Sequence, residues 1–164
     1  MNTQYQAIET ERQAIPYKRS LPDGEIRGVV LGVHGFASSK DSPTQRAVAD
    51  AGVRQNLAVI CFDFPAHGES SFGAGRSLNV PFRFYEDLQN RPVMQQTWDR
   101  PVLIVHGDQD EVVPYEDVVR FCSAHPTAEL CTLYGAGHEF TEDGMNAAMR
   151  YAIQFWSSGT VHKP

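Results

Sequence analysis

Long apolar runs are missing from this chain. The longest, such as Val29 to Val33 and Val102 to Val105, are strand-sized and far too short to span a bilayer. An excess of positive charge is missing too. Fourteen Lys and Arg stand against twenty Asp and Glu, for a formal charge of −6, so no basic stripe speaks for nucleic acid as the partner. Cysteine is scarce and odd in number. Cys61, Cys122 and Cys131 lie inside apolar segments, which excludes a disulfide framework and predicts reduced, buried thiols in a cytoplasmic protein. None has a ligand-like neighbour at C-x-x-C or H-x-x-x-H spacing, so no metal site is expected. The start, Met1-Asn2-Thr3-Gln4, has no basic region followed by an apolar stretch, and no signal peptide is expected.

What is present suits one globular domain. The 164 residues, 41% hydrophobic, are enough for a core, and the expected domain is 1–158 with a tail at 159–164. Tyr5 to Ile8 and Gln13 to Lys18 read as two antiparallel strands at a sheet edge, closed off by the turn signal Pro22-Asp23-Gly24. The β-branched run Gly28 to Val33 reads as a strand buried on both faces. Ser42-Pro43 offers an N-cap with proline at the first helical position, for a helix through Val48 that stops near Gly52. Leu57 to Phe62 is a second buried strand. Strand, helix and strand with short connections make a parallel α/β unit.

From Pro65 to Arg100 the pattern breaks down, with loop chemistry over His67 to Gly75 and only a short helix around Tyr85 to Leu88. A connection so long and irregular is unusual in a compact domain. The least regular part is a junction over 74–100, between an N-terminal half at 1–73 and a C-terminal half at 101–158. Order returns with a strand at Val102 to Val105, a helix at Tyr115 to Cys122 and a strand at Glu129 to Leu133. The last helix, Thr141 to Trp156, gathers Met145, Ala148, Met149, Ala152 and Phe155 on one face.

The chemistry-bearing residues follow the strands. His34-Gly35-Phe36 comes directly after the first buried strand, where glycine lets the chain turn and the next backbone N–H face a developing oxyanion. Asp63 to Ser70 follows the second buried strand, at the end of a parallel sheet where ligands bind. His67 there reads as a locally bonded loop residue, with a catalytic base as the alternative. His34 and His67 are expected on the binding side of a site. Asp110 lies in the polar loop His106 to Pro114 and is the carboxylate best placed to orient an imidazole, because Val112-Val113-Pro114 pins the loop behind it. His138 follows 28 residues later, behind Gly135-Ala136-Gly137. A histidine on a glycine-flanked loop with an aspartate on a neighbouring strand's loop is the base-and-orienter arrangement.

VVLGVHGF, VICFDFPAHGESS, PVLIVHGDQDEVVP and LYGAGHEF together resemble the α/β-hydrolase superfamily, in particular its small serine esterases, lipases and aminopeptidase-like members. The resemblance runs from about Tyr5 to Trp156. It implies a mostly parallel sheet with an antiparallel N-terminal edge hairpin and helices on both faces. It also implies that Phe36, with Gly35, supplies the oxyanion N–H, that Asp110 is the acid and that His138 is the base. The implied substrates are carboxylic esters, monoacylglycerols or short peptides, with neither cofactor nor metal.

One family feature is absent. No Gly-x-Ser-x-Gly occurs anywhere in the chain. Members place that elbow, two strands and usually a lid between the D-x-P-x-H-G-x-S loop and the acid strand. Here about 30 residues separate Ser71 from Pro101. The comparison implies an internal deletion with its break near Val80 and Pro81. Glu69-Ser70-Ser71-Phe72-Gly73 is the nearest substitute for an elbow, with Ser71 in the nucleophile slot, but no strand precedes it and Glu69 stands where glycine is required. Ser70, Ser38 and the strand residue Cys61 are weaker still. Three functions remain at this point: a hydrolase with an improvised nucleophile, a non-catalytic descendant that binds small acyl ligands or a protein, and a deletion product inactive as it stands. Loss of two strands would also leave open sheet edges, through which a homodimer could form.

Overall fold

The computed structural model describes residues 2–11, 14–64, 67–69, 86, 90 and 99–159. Most of the junction, all but Glu86 of the helix expected around Tyr85 to Leu88, the candidates Ser70 and Ser71 and the tail from 160 lie outside these residues. The chain divides into two compact units, Met1–Asn79 and Val80–Pro164.

The N-terminal unit is a four-stranded sheet with one helix. Strands β1 (Asn2–Glu9), β2 (Ala14–Leu21), β3 (Gly28–Gly32) and β4 (Leu57–Phe62) lie in the order β1-β2-β4-β3. The hairpin β1–β2 is antiparallel, with Ile8 opposite Ile15, as the alternating N-terminal segments predict. β2 also runs antiparallel to β4, while β3 and β4 are parallel, with Val30 beside Val59 and Leu31 beside Ile60. The crossover between them is helix α1 (Pro43–Arg54). Ser42 caps it, its side chain accepting from the Gln45 N–H, and Pro43 sits where a missing N–H costs nothing. The helix runs past Gly52 to Arg54, and Asn56 then turns the chain in a left-handed conformation at φ 57.

The core of this unit forms where α1 meets one face of the sheet: Ala49, Val59 and Cys61, with Val30, Val48 and Val53 packed around them. The other face is open. Val29, Leu31 and Val33 are 62, 64 and 57% exposed. The run Gly28 to Val33 is therefore buried on one face only, not on both as its composition predicts. A β-branched run reports a strand, but what covers each face depends on helices elsewhere in the chain, and in this unit α1 covers one. The open face forms a shallow apolar depression of about 430 Å3 between Ile8, Ile15, Leu31, Ile60 and Phe62.

The C-terminal unit holds β5 (Val102–Gly107), helix α2 (Tyr115–Ala124), β6 (Ala128–Leu133) and helix α3 (Glu142–Ser158). β5 and β6 pair in parallel from Val102 with Ala128 to Gly107 with Leu133. Both helices pack on this pair, burying Val118, Cys131 and Ala148. Thr141 caps α3 by accepting from the Gly144 N–H, and Gly159 ends the helix at φ 74. Of the face expected to be apolar, Ala148 is buried and Met145, Met149, Ala152 and Phe155 are half-buried. No disulfide joins the three cysteines; Cys61 and Cys131 are buried and Cys122 partly so. Burial pushes the Cys61 thiol up, so it is held as a packing group. Among the described residues no helix is long and apolar enough to cross a membrane.

Candidate active site

The chemistry-bearing loops sit at the carboxyl ends of parallel strands, where consecutive backbone groups leave the ladder and need new partners. In the C-terminal unit those partners are carboxylates. The Asp110 Oδ1 accepts the Val112 and Val113 N–H groups, both at 2.8 Å. Its two oxygens also lie 3.2 and 3.1 Å from the His138 Nδ1. The expected pinning by the Val112-Val113 segment is thus a pair of hydrogen bonds. Neighbouring carboxylates stitch the same two loops together. Asp108 accepts the Gly135 N–H at 2.6 Å, and Glu111 accepts the His138 N–H at 3.2 Å. Gly107 has no room for a side chain, since a Cβ there would stand 2.1 Å from the Ala136 carbonyl oxygen.

Protonation states follow from these bonds. Burial alone would push the Asp110 carboxyl up, but the Val113 and Val112 amides and His138 outweigh it and hold it at about 2. Asp110 is therefore an anion, and its side chain is only 5% exposed. A carboxylate can only accept, so the Nδ1 of His138 carries the proton and its Nε2 is left as the basic nitrogen. The His138 side chain is 46% exposed and open to an incoming group.

In the N-terminal unit the corresponding loops are held by a buried ion cluster. Asp63 is fully buried, and it accepts from the Lys40 N–H at 2.7 Å, the Lys40 Nζ at 3.0 Å and the Glu69 N–H at 3.0 Å. The Lys40 ammonium also bonds Glu69 at 2.7 Å and pairs with Asp41 at 3.1 Å. Burial would lower the Lys40 value, but hydrogen bonds to Glu69, Asp63 and Asp41 dominate and raise it above the usual range. Asp41 in turn is held below its usual range by Lys18 and Lys40, against its own burial. Gly68, at φ +54, lies directly over Asp63, and a Cβ there would meet the carboxyl at 2.4 Å. This explains the glycine of the His67-Gly68-Glu69 sequence.

The sequence-predicted residues of this unit have these places. His34 is buried; its Nε2 accepts the Phe64 N–H at 3.1 Å and its Nδ1 donates to the Gly35 carbonyl at 2.8 Å. Both ring nitrogens are thereby engaged by backbone, so His34 ties the two loops together. His67 packs its ring on His34 and edge-on to Phe36, with centroids 5.2 and 5.7 Å apart. Phe36 and Gly35 lie exposed on the turn after β3, which continues through Ala37 in a left-handed conformation at φ 58. Sequence alone does not single out Lys40, Glu111 or His106, and it marks Glu69 only as a poor fit to an elbow. Lys40 reads locally as a solvated loop residue, because its partner Asp63 lies 23 positions away.

A parallel α/β core with a carboxylate–imidazole pair on the loops after β5 and β6 defines the α/β-hydrolase class. The chain belongs to the TAP-like protein family of α/β hydrolases, whose model matches residues 82–164, about half of the chain. Solved structures share the fold. The esterase Est1E from Butyrivibrio proteoclasticus is 16% identical, covers 93% of this chain and 97% of its own, and superposes with a TM-score of 0.77. Mouse alpha/beta hydrolase domain-containing protein 10 is 11% identical over 96% of this chain and 100% of its own, at 0.79. An alpha-beta serine hydrolase homologue from Coxiella burnetii is 19% identical over 94 and 97%, at 0.68. No curated protein matches by sequence.

Proposed function

We propose that this chain is a descendant of ester- or peptide-cleaving serine hydrolases that keeps the acid and the base but not the nucleophile they serve. Its own turnover is then absent or strongly impaired. The observation that carries this reading is the Asp110–His138 pair, 3.1 to 3.2 Å apart, in a chain with no Gly-x-Ser-x-Gly. In an intact relative a serine hydroxyl would pass its proton to the nitrogen that corresponds to the His138 Nε2. The aspartate would stabilise the imidazolium, and the serine oxygen would attack the substrate carbonyl. The ester C–O or amide C–N bond would then break, the imidazolium giving its proton to the departing alcohol or amine and leaving an acyl-enzyme. In that relative the backbone N–H groups that correspond to those at Gly35 and Phe36 would meet the oxyanion. That chemistry needs neither metal nor cofactor. An internal loss near Val80 and Pro81 is supported by the family match, which begins at residue 82, and by the unit boundary after Asn79. The esterases among the structural neighbours favour carboxylic esters as the ancestral substrate class. Three cysteines with no disulfide among them favour a reducing compartment such as the cytoplasm.

A fluorophosphonate probe and a short-chain p-nitrophenyl ester test this directly. Neither labelling nor ester turnover is expected from the folded chain. Labelling that disappears in Ser71→Ala would overturn the reading and make Ser71 an improvised nucleophile.

A second reading, a non-catalytic role in association, is favoured by the uncovered face of the N-terminal sheet. Ile8, Val29 and Leu31 there are 56 to 64% exposed, and contiguous apolar surface of this kind marks association sites. Light scattering should then give a dimer that Leu31→Lys dissociates. A monomer at all concentrations removes this role.

A further inference from the structure

The loop that carries Asp110 is bound at one residue, Val113, through both of its backbone polar groups. The Val113 N–H donates to the Asp110 Oδ1 at 2.8 Å, and the Val113 carbonyl lies 3.1 Å from the His106 Nε2. A carbonyl only accepts, so the proton of that bond belongs to the His106 Nε2. The same nitrogen is 3.5 Å from the Asp110 Oδ2, which is the oxygen 3.1 Å from the His138 Nδ1. His106 is itself well held. Its ring stacks on Tyr115 at 6.2 Å between centroids and 21° between planes, the Tyr115 hydroxyl bonds the Thr132 hydroxyl at 2.6 Å, and the His106 side chain is 13% exposed. It stands at the end of β5, so the strand itself anchors the far end of the loop.

We propose that His106 is a positioning residue for the acid–base pair. Its Nε2–H fixes the Val113 carbonyl and so the backbone of that residue. The Val113 N–H, on the other side of its Cα, fixes Asp110, and Asp110 then holds His138 with the proton on Nδ1 and the Nε2 free. His106 contacts no reacting atom and acts wholly through Val113 and Asp110. The inference rests on the reading of Asp110 and His138 as acid and base. A ring that only filled space at this position would be replaceable by an apolar side chain of similar size. A donor that sets the loop would not.

The test uses the 15N-labelled full chain and reads the His138 tautomer from two-bond proton–nitrogen couplings at mildly alkaline pH. The wild type is expected to carry the Nδ1–H form. His106→Gln places an amide nitrogen where the Nε2 lies and should keep that form. His106→Leu and His106→Asn, which cannot reach Val113, should move the tautomer ratio about five-fold toward Nε2–H, the factor that goes with one ordinary hydrogen bond. Wild-type ratios in both Leu and Asn variants would overturn the proposal. So would a Gln variant displaced as far as Leu. Should the Leu variant fail to fold, as judged by near-ultraviolet dichroism, the contrast of Asn with Gln decides. Asp110→Asn separates the two layers of the argument. If it leaves the His138 tautomer unchanged, the acid–base reading fails and this inference with it. If it shifts the tautomer while His106→Asn does not, only the role of His106 falls.

Discussion

The two units solve the same local problem with different chemistry. Each must hold loops that leave the ends of a parallel strand pair. The N-terminal unit does so with a buried cluster in which Lys40 meets Asp63, Glu69 and Asp41. The C-terminal unit does so with carboxylates that accept backbone N–H groups: Asp108 from Gly135, Asp110 from Val112 and Val113, Glu111 from His138. The buried pair at its centre, Lys40 and Asp63, fixes geometry firmly, but each depends on the other to offset its desolvation, while Asp41 and Glu69 reach solvent. Carboxylate-to-amide bonds near the surface cost less to break and leave side chains such as His138 open to a reactant. Buried charge is thus concentrated in one unit and chemical availability in the other.

Removal of Asp63 should strike this contrast hardest. Asp63→Ala leaves the Lys40 ammonium, 1% exposed, without its most buried partner and should cost about 3 kcal/mol in urea denaturation. A loss below about 1 kcal/mol would mean that Glu69 and Asp41 suffice. Gly68→Ala comes next. Its Cβ would need the space of the Asp63 carboxyl in a left-handed backbone, and about 2 kcal/mol should be lost by the same measurement. The helix caps offer a matched pair across the units. Ser42→Ala and Thr141→Ala each remove one side-chain acceptor and should each cost about 1 kcal/mol. Unequal losses would show that the units differ beyond their loops. Asp110→Asn should act chiefly on the chemistry of the pair, turning His138 toward the tautomer protonated on Nε2, as nitrogen-15 spectra would record.

The two clusters should also part company with pH. The Asp110 carboxyl is held at about 2 against an ordinary 3.8, so its contribution is present above 3.8 and is lost as pH falls toward 2. Lys40 is raised above its ordinary 10.5, so its contribution is present below 10.5 and is lost only as pH rises beyond that value. Carbon-13 titration of the Asp110 carboxyl, with a midpoint near 3.8 instead of about 2, would contradict the hydrogen-bond geometry.

Much of this was legible from local signals. The Ser42-Pro43 cap, the β-branched strands at Gly28 and Leu57, and the loops that end in Asp110 and His138 each announce themselves within a few residues. The pairing of Asp110 with His138 was legible as well, since both follow strands that a parallel α/β pattern sets side by side. The ion cluster was not, because a lysine in Ser38-Ser39-Lys40-Asp41 looks solvated until Asp63 is brought to it. Nor was the clasp of His106 on Val113, which depends on how a polar loop folds back on its own strand. The run Gly28 to Val33 misled for a related reason: its composition reports the strand but not the coverage of each face.

By itself the sequence determined most of the elements, the order of the family motifs, the aspartate and histidine that pair, and the absence of a Gly-x-Ser-x-Gly. These depend on residue types and short spacings. Only the tertiary structure decided which charges are buried, which glycines lie against carboxyl or carbonyl groups, and which sheet face stays uncovered. Burial and ion pairing are set by neighbours distant in sequence, and a side chain's desolvation is fixed only once those neighbours are in place.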